Sequence, residues 1–200
     1  MANKVGIFSY GKANGKTTTC AYLASALSIV GKKVFVSDLS GSVQKLIASH
    51  DFKQGYGWEI SDSFDAEDKG MDYVLVDLPS SEAFKPDQIL PNLDSVIIPI
   101  EADLYGLENL NKTLQVVNTF ENLLIQGFLF TKCNSNSTYH ETMESSVARY
   151  FPELIFKSKI YRNYYLSLPQ FSLHTINEHP FHGGFIDYLK LANEIIDNEC

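Results

Sequence analysis

The chain has 200 residues, 44% of them hydrophobic and 20% charged, with a formal net charge of −8. This length and balance fit one globular domain with a well-buried core and exclude a strongly basic nucleic-acid binder, leaving room only for a local basic patch. No stretch approaches the run of about 18 apolar residues that a membrane span needs, and Cys20, Cys133 and Cys200, odd in number and far apart, favour a reduced cytosolic chain over a disulfide framework or a zinc site.

Strands and helices alternate from end to end. Met1, Ala2, Asn3 and Lys4 lead straight into the apolar run Val5-Gly6-Ile7-Phe8, a short buried strand in the place of a secretory leader. A helix is expected from Lys16, with no breaker before Gly31. Residues 33–38 read as a second strand ending in Asp38, followed by a short helix over 42–51. The polar, mixed residues from Gln54 to Asp72 carry little periodic signal. Strands follow at 71–79 and 94–100. A long amphipathic helix over 106–124 places Leu107, Leu110, Leu114, Val117 and Phe120 on one face. A strand at 127–131, a helix over 138–151, a last strand starting at 154–156 and a closing helix over 184–196 complete the chain. Strands apolar on both faces and alternating with helices predict an α/β fold, a mainly parallel sheet covered by helices on both sides, as a single domain over 1–200.

The stretch Tyr10-Gly11-Lys12-Ala13-Asn14-Gly15-Lys16-Thr17-Thr18-Thr19 lies between the first strand and the first helix, the context a phosphate-binding loop requires. Gly15 permits close backbone approach to anionic oxygens, and the helix that starts at Lys16 adds unpaired N–H donors and a positive dipole end. Lys16 supplies a point charge for terminal phosphates, and the Thr17 hydroxyl is a ligand for magnesium. The match to G-x-x-x-x-G-K-[ST] is incomplete, because Tyr10 stands where the first glycine belongs.

Ligands of an open α/β sheet sit beyond the carboxyl ends of its strands, and three such ends carry Asp38, Asp77 and Asn134. Asp77 closes an apolar run and reads as the acid that holds magnesium, directly or through water; its alternative is a strand-end turn acid. Asp38 either orients an attacking or metal-bound water or forms the turn before Leu39-Ser40-Gly41. Asn134 either pairs with adenine, which favours ATP over GTP, or belongs to an exposed loop.

With these residues placed, the chain resembles the ParA/MinD group of ATPases with a deviant phosphate loop, above all the short partition ATPases that lack an N-terminal DNA-reading extension. The resemblance runs through Gly11 to Thr18, through the switch segment from Asp38 to Ser42, and through Asp77-Leu78-Pro79. It continues in Pro99-Ile100-Glu101 and Gly106-Leu107-Glu108, in Ile160-Tyr161-Arg162-Asn163-Tyr164-Tyr165-Leu166-Ser167 and in the final helix, so it covers nearly the whole chain. It implies a three-layer P-loop NTPase fold and ATP with Mg2+ as cofactors. Nucleotide contacts are implied from Gly11, Lys12, Ala13, Asn14, Gly15, Lys16, Thr17, Thr18, Asn134 and Arg162. Metal contacts fall to Thr17, Asp77 and Asp38, and catalytic roles to Lys16, Asp38 and Lys12.

Two departures fall on catalytic positions. The family's signature lysine, which reaches the partner's phosphates across an ATP-sandwich homodimer, aligns with Gly11; Lys12 or Lys132 takes over, or the function is lost. The second switch acid aligns with Ser40. Loss of one preorganised charge costs about 100- to 1000-fold in rate, so the expectation is ATP binding with slow, partner-stimulated hydrolysis. The acidic tail from Ala192 to Cys200 speaks against a membrane-inserting helix. Arg149, Lys157, Lys159, Arg162 and Lys190 are either a patch for non-specific DNA or ordinary solvated surface. The leading reading is a cytoplasmic, nucleoid-associated switch that partitions or positions plasmid DNA or a protein assembly such as a carboxysome, with a ParB-like or cargo-adaptor protein as partner. The alternatives are a small-molecule synthetase with its substrate near Ser80-Ser81-Glu82, and a nucleotide-binding scaffold without turnover.

Overall fold

In the computed structural model the described residues are 2–11, 14–48, 57–63, 70–79, 85–103, 105–163, 166 and 183–199. Their strands are β1 (Asn3–Ile7), β2 (Val34–Asp38), β3 (Trp58–Ser61), β4 (Tyr73–Asp77), β5 (Ser95–Glu101) and β6 (Leu124–Thr131). Their helices are α1 (Lys16–Ile29), α2 (Ser42–Ala48), α3 (Pro86–Ile89), α4 (Gly106–Val117), α5 (Thr138–Tyr150) and α6 (Gly183–Asn198). The six strands form one sheet in the order β3-β2-β4-β1-β5-β6, and every pairing is parallel.

Side chains alternate across the sheet, and both faces are apolar. Val5, Ile7, Val36, Leu75, Ile97 and Leu129 point into one core with α1 and α6, while Val74, Val76, Val96, Ile98, Phe128 and Phe130 point into a second with Leu110, Val117, Met143 and Val147. This is the three-layer arrangement that the sequence predicts. Helix α1 is buried almost all round from Thr19 to Leu27, because α6 and α2 cover the faces that the sheet leaves free. The strand order reverses direction at β1, between β4 and β5, which puts the crevice for a ligand at the carboxyl end of β1.

Several boundaries differ from the sequence expectation. Helix α4 stops at Val117 rather than running to 124, because Asn118, Thr119 and Phe120 close it with turn hydrogen bonds and Thr119 Oγ1 donates back to Val116 O. Strand β6 starts at Leu124, opposite Ser95, with a register shift between Val96 and Ile97. Gly127 therefore lies inside the strand, where a Cβ would meet the Phe156 ring at 2.5 Å. The last strand expected at 154–156 is a 3-10 turn (Pro152–Leu154) followed by an isolated bridge from Ile155 to Phe128. Its ladder breaks because the Lys157 and Ser158 N–H groups donate to the Glu194 carboxylate at 2.6 and 2.8 Å, not to the sheet. Strand β3 and helix α3 have no counterpart in the sequence reading. The expected helix end at 49–51 lies outside the described residues.

Candidate phosphate and cation site

The loop after β1 is held open by its own polar groups. Asn14 Nδ2 donates to Ser9 Oγ at 3.2 Å and to Tyr10 O at 2.5 Å, and Asn14 O accepts from Thr131 Oγ1 at 3.2 Å. The buried Asn14 side chain thus points back into the loop and braces it. Tyr10 N–H donates to Thr113 Oγ1 at 2.9 Å, tying the loop to α4. Gly11 has φ +90°, and a Cβ there would lie 2.7 Å from Asn109 Nδ2. Gly15, with φ 83°, ends the loop in the left-handed region at the start of α1, a conformation that favours glycine. The N-cap residue of α1, Gly15, makes no side-chain cap, and among the described residues the first turn of α1 follows the loop at the carboxyl end of β1. Lys12 and Ala13 lie outside the described residues.

Lys16 is buried, and its ammonium donates to Ser9 O at 3.1 Å and Gly11 O at 3.0 Å. Burial lowers its pKa to about 8, although Asp77 pulls it back up. Thr17 Oγ1 donates to Asp77 Oδ2 at 2.9 Å. Its hydrogen is committed there, which leaves its lone pairs for a cation. Ser40 Oγ lies 2.6 Å from the same oxygen. Asp77 Oδ1 is buried with no hydrogen-bond partner among the described residues. Burial pushes the Asp77 carboxyl up to about 6; the hydrogen bonds from Ser40 and Thr17 oppose the rise, Asp38 adds to it, and Lys16 opposes it. A buried, incompletely satisfied carboxylate beside a threonine hydroxyl is an oxygen donor set that fits magnesium. No group of three or more His, Cys, Asp or Glu among the described residues could hold a metal by itself.

Asp38 stands directly beside Asp77 across the β2–β4 pairing and is also buried. Its Oδ1 accepts from Ser42 N–H at 3.1 Å and its Oδ2 from Gln44 N–H at 2.7 Å, so the carboxylate caps α2.

Beside Gly15 and Thr18 lies a cavity of about 480 Å³, also lined by Thr131, Tyr161, Arg162 and Tyr188. Arg162 is held at its rim by Nε–H to Lys132 O at 3.2 Å and by Glu101 at 3.6 Å. Lys132 is paired with the other Glu101 oxygen at 2.7 Å. Asn134 is not brought to this cavity. It lines a smaller pocket of about 80 Å³ with Cys133, His140 and Lys159, and its Oδ1 accepts from Asn136 N–H at 3.2 Å. Of the basic residues read either as a patch or as ordinary surface, Lys159 pairs with Glu144 at 2.5 Å, Arg162 with Glu101 and Lys190 with Asp187 at 4.0 Å. Tyr164, Tyr165 and the segment Ser80-Ser81-Glu82 lie outside the described residues.

Sequence reasoning missed the supports of the site. Thr113 and Asn109 behind the loop and Asp187 under Tyr161 N–H carry no motif, and Glu101, under Lys132 and Arg162, stands in the Pro99-Ile100-Glu101 segment without a role read for it.

Residues 11–169 match the CobQ/CobB/MinD/ParA nucleotide binding domain family. The chain is similar to the sporulation initiation inhibitor protein Soj of Bacillus subtilis, 30% identical over 142 residues that cover 68% of this chain and 56% of that protein. It thus spans little more than half the length of that relative. The fold is similar to the septum site-determining protein MinD from Pyrococcus horikoshii OT3 complexed with Mg-ADP, with TM-score 0.76, 16% identity and coverage of 100% of this chain and 98% of that one. It is likewise similar to a Borrelia burgdorferi B31 protein assigned to plasmid partition and bound to AMPPNP, with TM-score 0.76, 16% identity and full coverage of both chains.

Proposed function

Because this chain belongs to the CobQ/CobB/MinD/ParA nucleotide-binding family, we propose that it is an ATP-binding partition or positioning switch whose ATP-bound form dimerises and binds DNA. The observation that carries the proposal is the Thr17–Asp77 hydrogen bond beside the buried Lys16, at the carboxyl end of β1. Backbone N–H groups from Gly15 to Thr18 and the Lys16 ammonium bind the ATP phosphates. Thr17 and Asp77 hold Mg2+. That ion, when bound, supplies positive charge against the phosphate oxygens. The Lys16 ammonium spends two of its three N–H donors on Ser9 O and Gly11 O, which leaves the third for a phosphate oxygen, and an anion there favours the charged form that burial disfavours.

Hydrolysis is slow in this proposal. Asp38 already accepts an α2 N–H on each oxygen, so it shares its charge between the helix and an attacking water, and Ser40 offers a hydroxyl where a second carboxylate would add charge. The position of Gly11 offers no lysine to a partner's phosphates, which leaves that contact to Lys12. Arg162 and Tyr161 flank the nucleotide base in the larger cavity. The relatives named above support the partition reading, while pairing of Lys159, Arg162 and Lys190 with carboxylates leaves less free positive charge for DNA than their number suggests.

The test follows self-association by light scattering and binding to non-specific DNA, each with ATP, with ADP and with Lys16→Ala. Dimers that hold DNA with ATP alone are the predicted result. ATP binding with neither dimers nor DNA association contradicts the proposal.

A further inference from the structure

We propose that Ser40 is a positioning residue that couples the cation ligand Asp77 to the start of α2, its one hydroxyl hydrogen selecting between Asp77 Oδ2 and Asp38 Oδ1. The inference rests on the reading of Thr17 and Asp77 as the magnesium ligands.

Ser40 Oγ lies 2.6 Å from Asp77 Oδ2 and 3.1 Å from Asp38 Oδ1. A hydroxyl has a single hydrogen, so it donates to one of these carboxylates at a time. The shorter distance, in the range of a charge-assisted bond, assigns the hydrogen to Asp77. The contact with Asp38 is then bridged by a different donor, because Ser42 N–H lies 3.1 Å from Asp38 Oδ1 and 3.0 Å from Ser40 Oγ. One backbone N–H is shared between two acceptors, and one of them belongs to the side chain that also touches Asp77.

This arrangement has a second stable setting. A divalent charge at Asp77 makes that carboxylate a poorer acceptor, while Asp38 keeps its own charge. Rotation about the Ser40 Cβ–Oγ bond then turns the hydrogen to Asp38 Oδ1. The hydrogen now occupies the side from which Ser42 N–H approached, and Ser42 loses Ser40 as its second acceptor. No backbone movement is needed for the signal to leave the site.

Helix α2 is suited to respond. It has seven residues, below the length at which a helix sustains itself, so its first turn depends on the groups that cap it. Val43 and Ile47 are buried in the core and hold the body of the helix in place, which confines the change to its leading edge. Alanine at position 40 removes the coupling, while threonine retains the hydroxyl.

Amide exchange of Ser42 and Gln44 is measured by NMR on the 15N-labelled chain with ADP, first with EDTA and then with Mg2+, while Mn2+ binding to the same protein–ADP samples is followed by electron paramagnetic resonance. In the wild type, exchange at Ser42 accelerates on adding the cation by about two- to threefold, less than the roughly fivefold of one full ordinary hydrogen bond because Asp38 Oδ1 still accepts from it. Gln44, held by Asp38 Oδ2, changes little. Ser40→Thr reproduces the response, and Ser40→Ala abolishes it although Mn2+ still binds. A wild-type Ser42 amide that ignores the cation while Mn2+ binds overturns the coupling, as does an undiminished response in Ser40→Ala. Failure of Mn2+ to bind the wild type overturns the ligand assignment itself, and the coupling with it.

Discussion

Replacing Lys16 by methionine separates what the lysine does for a ligand from what it costs the fold. Lys16 is 7% exposed, and burial takes its pKa from 10.5 to about 8. That difference means folding disfavours the ammonium by about 3 kcal/mol. Methionine fills similar space without the charge, but it leaves Ser9 O and Gly11 O without this donor, which offsets the gain by about 1 kcal/mol each. The balance predicts that Lys16→Met is the more stable protein without nucleotide at pH 7, by about 1 kcal/mol, or roughly 2–4 °C in Tm for a domain of this size. The pH dependence has a definite sign. The folded pKa lies below the unfolded one, so between about 8 and 10.5 the unfolded wild type binds more protons and its stability rises with pH. The variant lacks that rise, and its advantage shrinks and then reverses. Thermal unfolding of both proteins at a series of pH values from neutral to alkaline reads this directly. A variant less stable at pH 7, or an advantage independent of pH, refutes the reasoning.

Three further outcomes follow from the same geometry. Thr17→Ala weakens the magnesium-dependent part of nucleotide affinity by at least about tenfold and leaves the metal-free affinity nearly unchanged, as calorimetry with and without Mg2+ shows. Gly11→Ala costs about 1–2 kcal/mol because of its left-handed backbone, and adding Asn109→Ala recovers little of it in urea unfolding, since the amide it would meet can move aside. Burial raises the Asp187 pKa against the Tyr161 N–H and Lys190. A raised folded value makes stability fall as pH climbs from the ordinary carboxylate range through that value. Asp187→Asn flattens the decline in Tm over that acidic window.

The place of the loop was legible because its signal is local: Gly15, Lys16 and Thr17 are adjacent, and β1 and α1 on either side have unmixed apolar patterns. The central strands were legible for the same reason, since β4 and β5 are buried on both faces. Edges were not. Strand β3 is half-buried and only four residues long, so its alternation is too brief to stand out. Strand β6 was read late because Gly127 resembles a turn residue, whereas it is the Phe156 ring that excludes a side chain there. Helix α4 was read long because Phe120 continues the apolar spacing after the backbone has already turned. Within the site, Asp77 stands out at its strand end, but the pairing of Ser40 with it depends on the loop after β2 and the end of β4, which meet only in the fold. The position of Asn134 depends on the Lys132 backbone, at φ 53°, which the sequence does not announce.

Calorimetric titration of ATP with Mg2+ into the wild type and into Lys16→Ala tests the central claim most directly. The account predicts saturable binding that the substitution weakens by at least about tenfold, as expected for loss of a charged hydrogen-bonding partner, and that EDTA weakens in the wild type. Equal affinity in the two proteins, or indifference to magnesium, contradicts it.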